Sequence, residues 1–171
     1  MDDAEVIRSC VERKVSQVAS EPSTGCGTAT TRVTLKPGLD CEIEDGPWKL
    51  TAGMSAVWGG NNGGPNPGVL GRGALGSCLA IGYAIWASRL GVPIDSLEVV
   101  VQGDYDARGE LGLAADVPPG YLAVRYQVTV TSPASEAEVR RVLDTADKYS
   151  PYRDVYARGC EVRREATILA S

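Results

Sequence analysis

Residues 67–90 read PGVLGRGALGSCLAIGYAIWASRL, and this stretch decides the fold of the chain. Asn66 before it is a good helix N-cap, proline suits the first helical position, and Gly91 is typical of the residue after the last turn. Residues 74–87 include no charged side chain, so a helix formed here is apolar all round and must be buried on all sides. We therefore expect one side to pack on a sheet of its own chain and the other on a second subunit.

Alternating apolar and polar residues predict strands on both sides of this helix. Amphipathic helices are predicted at 3–18 and from Ser135 onward, and Ser150-Pro151 begins a short helix or turn. Because the strands come in runs and do not alternate with helices, the sequence favours an α+β fold with a largely antiparallel sheet. The predicted strands are 28–35, 39–44, 47–53, 96–105, 121–131 and 161–169.

Composition narrows the possible functions. The chain has 22 acidic and 17 basic residues, a net charge of −5, which disfavours binding to nucleic-acid phosphates. It has no histidine, which removes Ser-His and Cys-His catalytic pairs and the usual zinc ligand. The start Met1–Glu5 lacks the features of a signal peptide, and no stretch reaches the roughly 18 apolar residues of a membrane span. We expect a single cytoplasmic domain over residues 1–171, with 1–24 as N-terminal helix and linker, and no nucleic-acid, membrane, metal or cofactor partner.

Thiol chemistry is the main catalytic possibility that this composition leaves. The five cysteines form no CxxC pair, which argues against a structural zinc site, and their odd number leaves at least one free thiol in a monomer. Cys78 lies in the middle of the apolar helix, where it is either a packed core residue or a reactive thiol. A reactive thiol needs a nearby cation, and Arg32, from a predicted strand, is the candidate. The roles of the other four cysteines stay open, namely Cys10, Cys26, Cys41 and Cys160.

Other constellations favour structural roles. The segment Gly71–Gly76 matches G-x-G-x-x-G, but a loop rather than a strand precedes it, which favours close helix packing over nucleotide binding. The glycine-rich stretch 59–68 is interpreted as a connection rather than a mobile lid. Asp104 and Asp106 could bind a hard cation, but a solvated turn is favoured. Three tyrosines at helical spacing are expected to pack together or line a pocket, namely Tyr149, Tyr152 and Tyr156.

Two motifs resemble those of the OsmC/Ohr family of osmotically inducible and organic hydroperoxide resistance proteins. One is the run from Asn66-Pro67 through 74–80, ALGSCLA, and the other is 146–152, ADKYSPY, followed by the strand from Cys160. The resemblance covers roughly residues 25–170. It implies an intertwined homodimer with two long central helices packed against antiparallel sheets.

The resemblance also implies a chemistry. In active family members a peroxidatic thiolate, here matching Cys78, reduces an organic hydroperoxide and becomes a sulfenic acid. A second cysteine then forms a disulfide with it, and external dithiols reopen that disulfide. An arginine, matched by Arg32, and an acidic residue just after Asn-Pro help hold the thiolate.

This chain departs from the family pattern at two of these positions. Ser150 stands at the place of the second cysteine, and Gly68 at the place of the acid. A serine cannot form the disulfide, although Cys160 could in principle replace it as the resolving thiol. We therefore expect an OsmC-like thiol protein, a hydroperoxide reductase of the peroxiredoxin type if it is active, in which an external thiol resolves Cys78. The alternative is a non-catalytic binding module that holds a small apolar ligand at the dimer interface.

Overall fold

The structure is a computed structural model that describes residues 3–169. Met1 and Asp2, on which the expected lack of a signal peptide partly rests, lie outside the described residues, as do the last two residues of the predicted domain. Both sheets are antiparallel, which confirms the predicted α+β class. The helices are α1 (Asp3–Ser20), α2 (Pro67–Leu90), α3 (Ala107–Glu110), α4 (Glu136–Lys148) and α5 (Pro151–Arg158). The strands are β1 (Arg32–Lys36), β2 (Asp40–Asp45), β3 (Trp48–Gly53), β4 (Ser96–Tyr105) and β5 (Tyr121–Thr131).

The long central helix α2 has the predicted bounds because its ends are capped as the sequence indicates. The side chain of Asn66 accepts a hydrogen bond from the backbone N–H of Val69 at 3.0 Å. Gly91 has a φ of +68° and donates its N–H to the last turn, a left-handed conformation that glycine adopts without strain. The predicted limits of β4 and β5 are likewise those of the structure.

The hydrophobic core lies where α2 packs on the two-stranded sheet β4–β5 and on α4. Leu75, Leu79 and Tyr83 lie on one face of α2 at helical spacing and are buried. They contact the apolar side chains that alternate along β4 and β5, such as Val99 and Val128, because successive strand residues point to opposite faces. This arrangement fixes one face of the central helix against its own chain.

The three-stranded sheet β1–β2–β3 has an apolar face that its own chain leaves uncovered. The register places Leu35 opposite Cys41 and Ile43 opposite Leu50, so these side chains share one face. Leu35 is 68% exposed, and Ala52 is the only buried hydrophobic residue of this sheet within residues 3–169. A face of this kind is typical of a surface that covers another chain.

Two strand predictions differ from the structure. The predicted last strand, 161–169, is wrong for this chain by itself: it has no regular structure, and Ile168 is 93% exposed. Its alternation is present, but a strand also needs a neighbour to hydrogen-bond its backbone, and the single chain supplies none. The first predicted strand begins at Arg32 and not at residue 28.

The opposite face of α2 is exposed. Ile81 is 61% exposed and shares this face with Gly73, Ser77 and Ala84. The helix is long and apolar enough to cross a membrane by length and composition, which corrects the expectation that no stretch would be. In this fold it is instead the central helix of the core. The expected burial on all sides is therefore met on one side only within a single chain.

The glycine-rich segment 59–68 is a connection that hydrogen bonds hold in place. The backbone N–H of Gly63 donates to Asp40 Oδ1 at 3.2 Å, and Asn61 Nδ2 donates to the carbonyl of Pro37 at 3.3 Å. Gly53 N–H donates to the carbonyl of Pro65 at 3.1 Å. These bonds tie the segment to the β1–β2 hairpin and to β3, and they set where α2 begins.

Candidate active site around Cys78

The thiol of Cys78 faces the hydroxyl of Ser150. Cys78 lies about three turns into α2, and Ser150 Oγ, 3.6 Å from Cys78 Sγ, lies at the junction of α4 and α5. Ser150 is 5% exposed, and Cys78 is half-buried. Ser150 is also the N-cap of α5, since its Oγ accepts the backbone N–H of Arg153 at 3.4 Å. Either atom can be the donor of this bond while Cys78 is a thiol, and only the Ser150 hydroxyl can donate once the sulfur is a thiolate.

The α4–α5 junction is held along α2 by a further contact, an aromatic stack. The ring of Tyr149 stacks on Trp86 of α2 with the ring centroids 5.3 Å apart. The guanidinium of Arg89 lies over the same Trp86 ring, 4.3 Å from its centroid. Arg89 in turn is ion-paired with Glu12 of α1 at 2.9 Å. The position of Ser150 relative to Cys78 is therefore set by packed aromatic groups and not by the cap alone.

A carboxylate beside this junction is held by two tyrosines. The Tyr83 hydroxyl donates to Asp147 Oδ1 and the Tyr126 hydroxyl to Oδ2, both at 2.7 Å. Burial, followed by these hydrogen bonds to Asp147, raises the pKa of both phenols above the usual range. Arg153 Nε donates to the Tyr126 oxygen at 3.1 Å, so the cluster extends from the core to the surface of α5.

The hydroxyl of Tyr121 in β5 is hydrogen-bonded to the N-terminal part of α2. Arg72 Nη1 donates to the Tyr121 hydroxyl at 2.7 Å, and that hydroxyl donates to the carbonyl of Gly68 at 3.2 Å. A Cβ placed on Gly68 would lie 3.3 Å from both the Tyr121 oxygen and Asn66 Oδ1, which is a tight contact. A larger side chain at position 68 therefore needs its neighbours to move.

A cavity of about 490 Å³ opens next to these groups. Leu75 of α2 forms one wall, Tyr121 and Tyr126 of β5 another, and Arg153 and Tyr156 of α5 a third. Leu75 is one helical turn before Cys78 and lies on the same side of α2. The arrangement at Cys78 therefore combines a half-buried thiol, a hydroxyl hydrogen-bonded to it and a cavity one turn away.

Comparisons with known proteins assign the family. A sequence model of the family "OsmC-like protein" matches residues 59–165, well over half of the chain. The chain belongs to the OsmC-like family. No curated protein matches it.

Solved structures agree with this OsmC-like assignment at the level of the fold. An OsmC-like protein from Mycoplasma pneumoniae has a TM-score of 0.65 at 16% identity, covering 76% of this chain and 87% of that one. An organic hydroperoxide resistance protein OsmC from Legionella pneumophila has a TM-score of 0.57 at 18% identity, covering 77% and 90%. An organic hydroperoxide resistance protein from Vibrio cholerae, with captopril bound in one of the active sites, has a TM-score of 0.53 at 15% identity, covering 77% and 87%.

The structure places the predicted site residues of this OsmC-like chain unevenly. Cys78 and Ser150 come together, although 72 residues separate them. Arg32 does not join them: it is exposed at the start of β1, and its side chain makes no hydrogen bond or ion pair within residues 3–169. Over the same range no cationic side chain donates a hydrogen bond to Cys78 Sγ. All five cysteines are free thiols.

The two aspartates considered as a cation site in this OsmC-like chain are ion-paired with arginines instead. Asp104 is paired with Arg125, and Asp106 with Arg108, as a solvated cluster of charges. The part of the chain that the structure describes contains no group of three or more potential metal ligands.

Sequence reasoning missed the cluster of Tyr83, Asp147, Tyr126 and Arg153. One signal was present. Asp147 lies four residues after Leu143 and one after Ala146, so an acidic residue borders the apolar stripe of α4. An acid in such a place needs buried hydrogen-bond donors, and only the three-dimensional structure shows that they are tyrosines.

Proposed function

We propose that this OsmC-like protein is a thiol peroxidase that reduces organic hydroperoxides at Cys78 and depends on an external thiol for turnover. The observation that carries the proposal is the contact of 3.6 Å between Cys78 Sγ and Ser150 Oγ. It puts a hydrogen-bond donor beside the sulfur at the place where the family resemblance implies a second sulfur. Structural neighbours named as organic hydroperoxide resistance proteins support the proposed substrate class.

The chemistry balances with a hydroperoxide as oxidant and a monothiol as reductant. The Cys78 thiolate attacks the distal oxygen of ROOH, the O–O bond breaks, and ROH leaves after it takes up a proton. The sulfur is oxidised by two electrons to a sulfenic acid, to which Ser150 donates its hydroxyl proton in a hydrogen bond. A thiol R′SH then displaces water and forms a mixed disulfide, and a second R′SH releases Cys78 and leaves as R′SSR′. Captopril, which carries a thiol and a carboxylate, occupies an active site of the Vibrio cholerae protein, which supports access of small thiols to such a site.

The cation that ionises Cys78 comes, in this proposal, from a second copy of the chain. The exposed face of α2 carries Gly73 and Ser77, whose small side chains allow a second helix to approach closely. The uncovered apolar face of β1–β3 then has a partner chain to cover. Arg32, exposed in β1, remains the candidate cation. We infer an intertwined homodimer in the cytoplasm.

The test is intact mass spectrometry after one equivalent of an organic hydroperoxide, with dimedone present as a trap for sulfenic acid. Wild type is compared with Cys78→Ser and with Cys41→Ser, which removes the other half-buried cysteine. We expect one dimedone adduct in wild type and in Cys41→Ser, and none in Cys78→Ser. An unmodified wild-type protein rejects the peroxidase and leaves the interface binding module as the function to pursue.

A further inference from the structure

Arg153 in the wall of the cavity has hydrogen-bonding capacity that the fold does not use. Its Nε donates to the Tyr126 oxygen at 3.1 Å, which fixes the plane of the guanidinium. Its two terminal amino groups donate to no residue within 3–169, and its interaction with the acid Asp147 runs through the Tyr126 hydroxyl that both contact, without a direct ion pair. Within residues 3–169, six of the thirteen arginines of the chain are ion-paired with an acid, for example Arg158 with Asp154 on the same helix, α5.

The shape and lining of the cavity describe what can bind there. A planar guanidinium with both terminal groups free matches a carboxylate, which it can bind through two parallel hydrogen bonds. The other walls include Leu75 and the rings of Tyr121, Tyr126 and Tyr156, which suit an apolar or aromatic body. About 490 Å³ is enough for a small organic molecule.

The cavity is within reach of Cys78. Leu75 in its wall lies one turn before Cys78, about 4.5 Å along the helix axis at 1.5 Å per residue. From the other side, the backbone N–H of Arg153 caps Ser150 Oγ, which is 3.6 Å from Cys78 Sγ. A molecule held by its carboxylate at Arg153 therefore needs only a few bonds to bring a reactive group to the thiol.

We propose that Arg153 is a specificity-determining residue that binds the carboxylate of a small organic acid reacting at Cys78. The apolar body of the acid fills the cavity. This inference rests on the proposed peroxidase function, because the reactive group of the acid is either the hydroperoxide or the external thiol. Either the hydroperoxide or the external thiol could carry the carboxylate, and separate arms of the second experiment distinguish these two reactants.

The first experiment needs no peroxide and so judges the anion site alone. Cys78 is alkylated with iodoacetate or with iodoacetamide, and the two rates are read from the Cys78 peptide by mass spectrometry. Arg153→Gln is compared with Arg158→Gln, which removes the same charge from the same helix. We expect the iodoacetate-to-iodoacetamide ratio to fall about tenfold in Arg153→Gln and to stay at the wild-type value in Arg158→Gln. Equal ratios in the two variants overturn the proposal.

The second experiment identifies the source of the carboxylate. One arm oxidises Cys78 with tert-butyl hydroperoxide and compares resolution by 3-mercaptopropionate and by its methyl ester. The other arm compares a carboxylated aryl hydroperoxide with its ester in the oxidation step. If, in one arm, wild type reacts faster with the acid than with the ester and Arg153→Gln does not, the site binds the reactant of that arm. If neither arm shows this preference, the proposal is overturned. Absence of any sulfenic acid rejects the peroxidase instead, while the alkylation ratio still decides whether Arg153 binds anions.

Discussion

Cys78 Sγ and Ser150 Oγ approach to 3.6 Å, although 72 residues separate the two in the chain. The hydroxyl is buried, caps α5 and has one proton left to donate. It can therefore stabilise a negative charge on the sulfur, but it cannot form a covalent bond with it. In the proposed peroxidase, this difference between an oxygen and a sulfur at one position means that an external thiol must complete the turnover.

Replacing Ser150 by cysteine should convert the protein to two-cysteine chemistry. With a second sulfur facing Cys78, the sulfenic acid should condense to an intramolecular disulfide, which needs a Cα separation within about 7 Å. After one equivalent of hydroperoxide we expect Ser150→Cys to lose two hydrogens in mass and to give no dimedone adduct. Ser16→Cys, which adds a thiol on the exposed side of α1, should still give the adduct. A persistent adduct in Ser150→Cys contradicts the geometry proposed here.

Removing the Ser150 hydroxyl should affect reactivity separately from stability. Ser150→Ala deletes an N-cap, which costs about 1 kcal/mol of unfolding free energy. Ser135→Ala deletes the N-cap of α4 and is the matched control. Urea unfolding should show a similar loss in both, whereas only Ser150→Ala should slow the reaction of Cys78 with hydroperoxide, by about tenfold for one lost hydrogen bond. Equal peroxide rates in the two variants would show that the hydroxyl only caps the helix.

Tyr83 should be a stability residue of the site. Its side chain is 0% exposed and its hydroxyl donates to a carboxylate, so Tyr83→Phe leaves Asp147 with one phenol donor. We expect the free energy of unfolding to fall by about 1.5–3 kcal/mol, the usual range for a hydrogen bond to a charged group. Tyr105→Phe, in an exposed position, should leave it unchanged in the same urea titration. A Tyr83→Phe protein as stable as wild type would mean that water replaces the phenol.

Stability should also decline at alkaline pH, and Tyr83 should account for part of the decline. Burial and the bond to Asp147 raise the pKa of Tyr83 in the folded state above its unfolded value. The folded state therefore holds the proton more tightly, so this stabilisation is complete below about pH 10 and is lost as the pH rises toward the folded pKa. Urea unfolding at several pH values should show a shallower alkaline decline for Tyr83→Phe than for wild type. The decline that remains in Tyr83→Phe should come in part from Tyr126, whose pKa is also raised.

The exposed face of α2 should be the centre of the proposed homodimer. Ile81→Glu places a charge on that face without touching the core of the single chain. We expect light scattering to give twice the chain mass for wild type and the single chain mass for the variant, because an unpaired charge cannot be buried between two helices. Leu113→Glu, in the connection between β4 and β5, introduces the same charge and should remain dimeric. A monomeric wild type at micromolar concentration rejects the dimer.

The central helix and the long strands were predictable because their signals are local. Asn66, Pro67 and Gly91 set the ends of α2 through backbone geometry that involves only neighbouring residues. The alternation along β4 and β5 is equally local, and both strands have the predicted bounds. The segment 161–169 alternates just as clearly and yet forms no strand, because pairing depends on a partner that the sequence of one chain does not supply.

The features of the candidate site likewise divide into those that local sequence predicts and those that tertiary packing sets. The sequence by itself determined the ends of α2 and the α+β class. Cys78 as the reactive thiol stays a prediction, and the serine at the place of a second cysteine follows from the family resemblance. Only the tertiary structure decided that Ser150 faces Cys78, that Asp147 takes its donors from Tyr83 and Tyr126, and that Arg32 stands apart. The physical reason is range: caps and periodicity act within a turn or a few residues, whereas a site is made by side chains that packing brings together from distant segments.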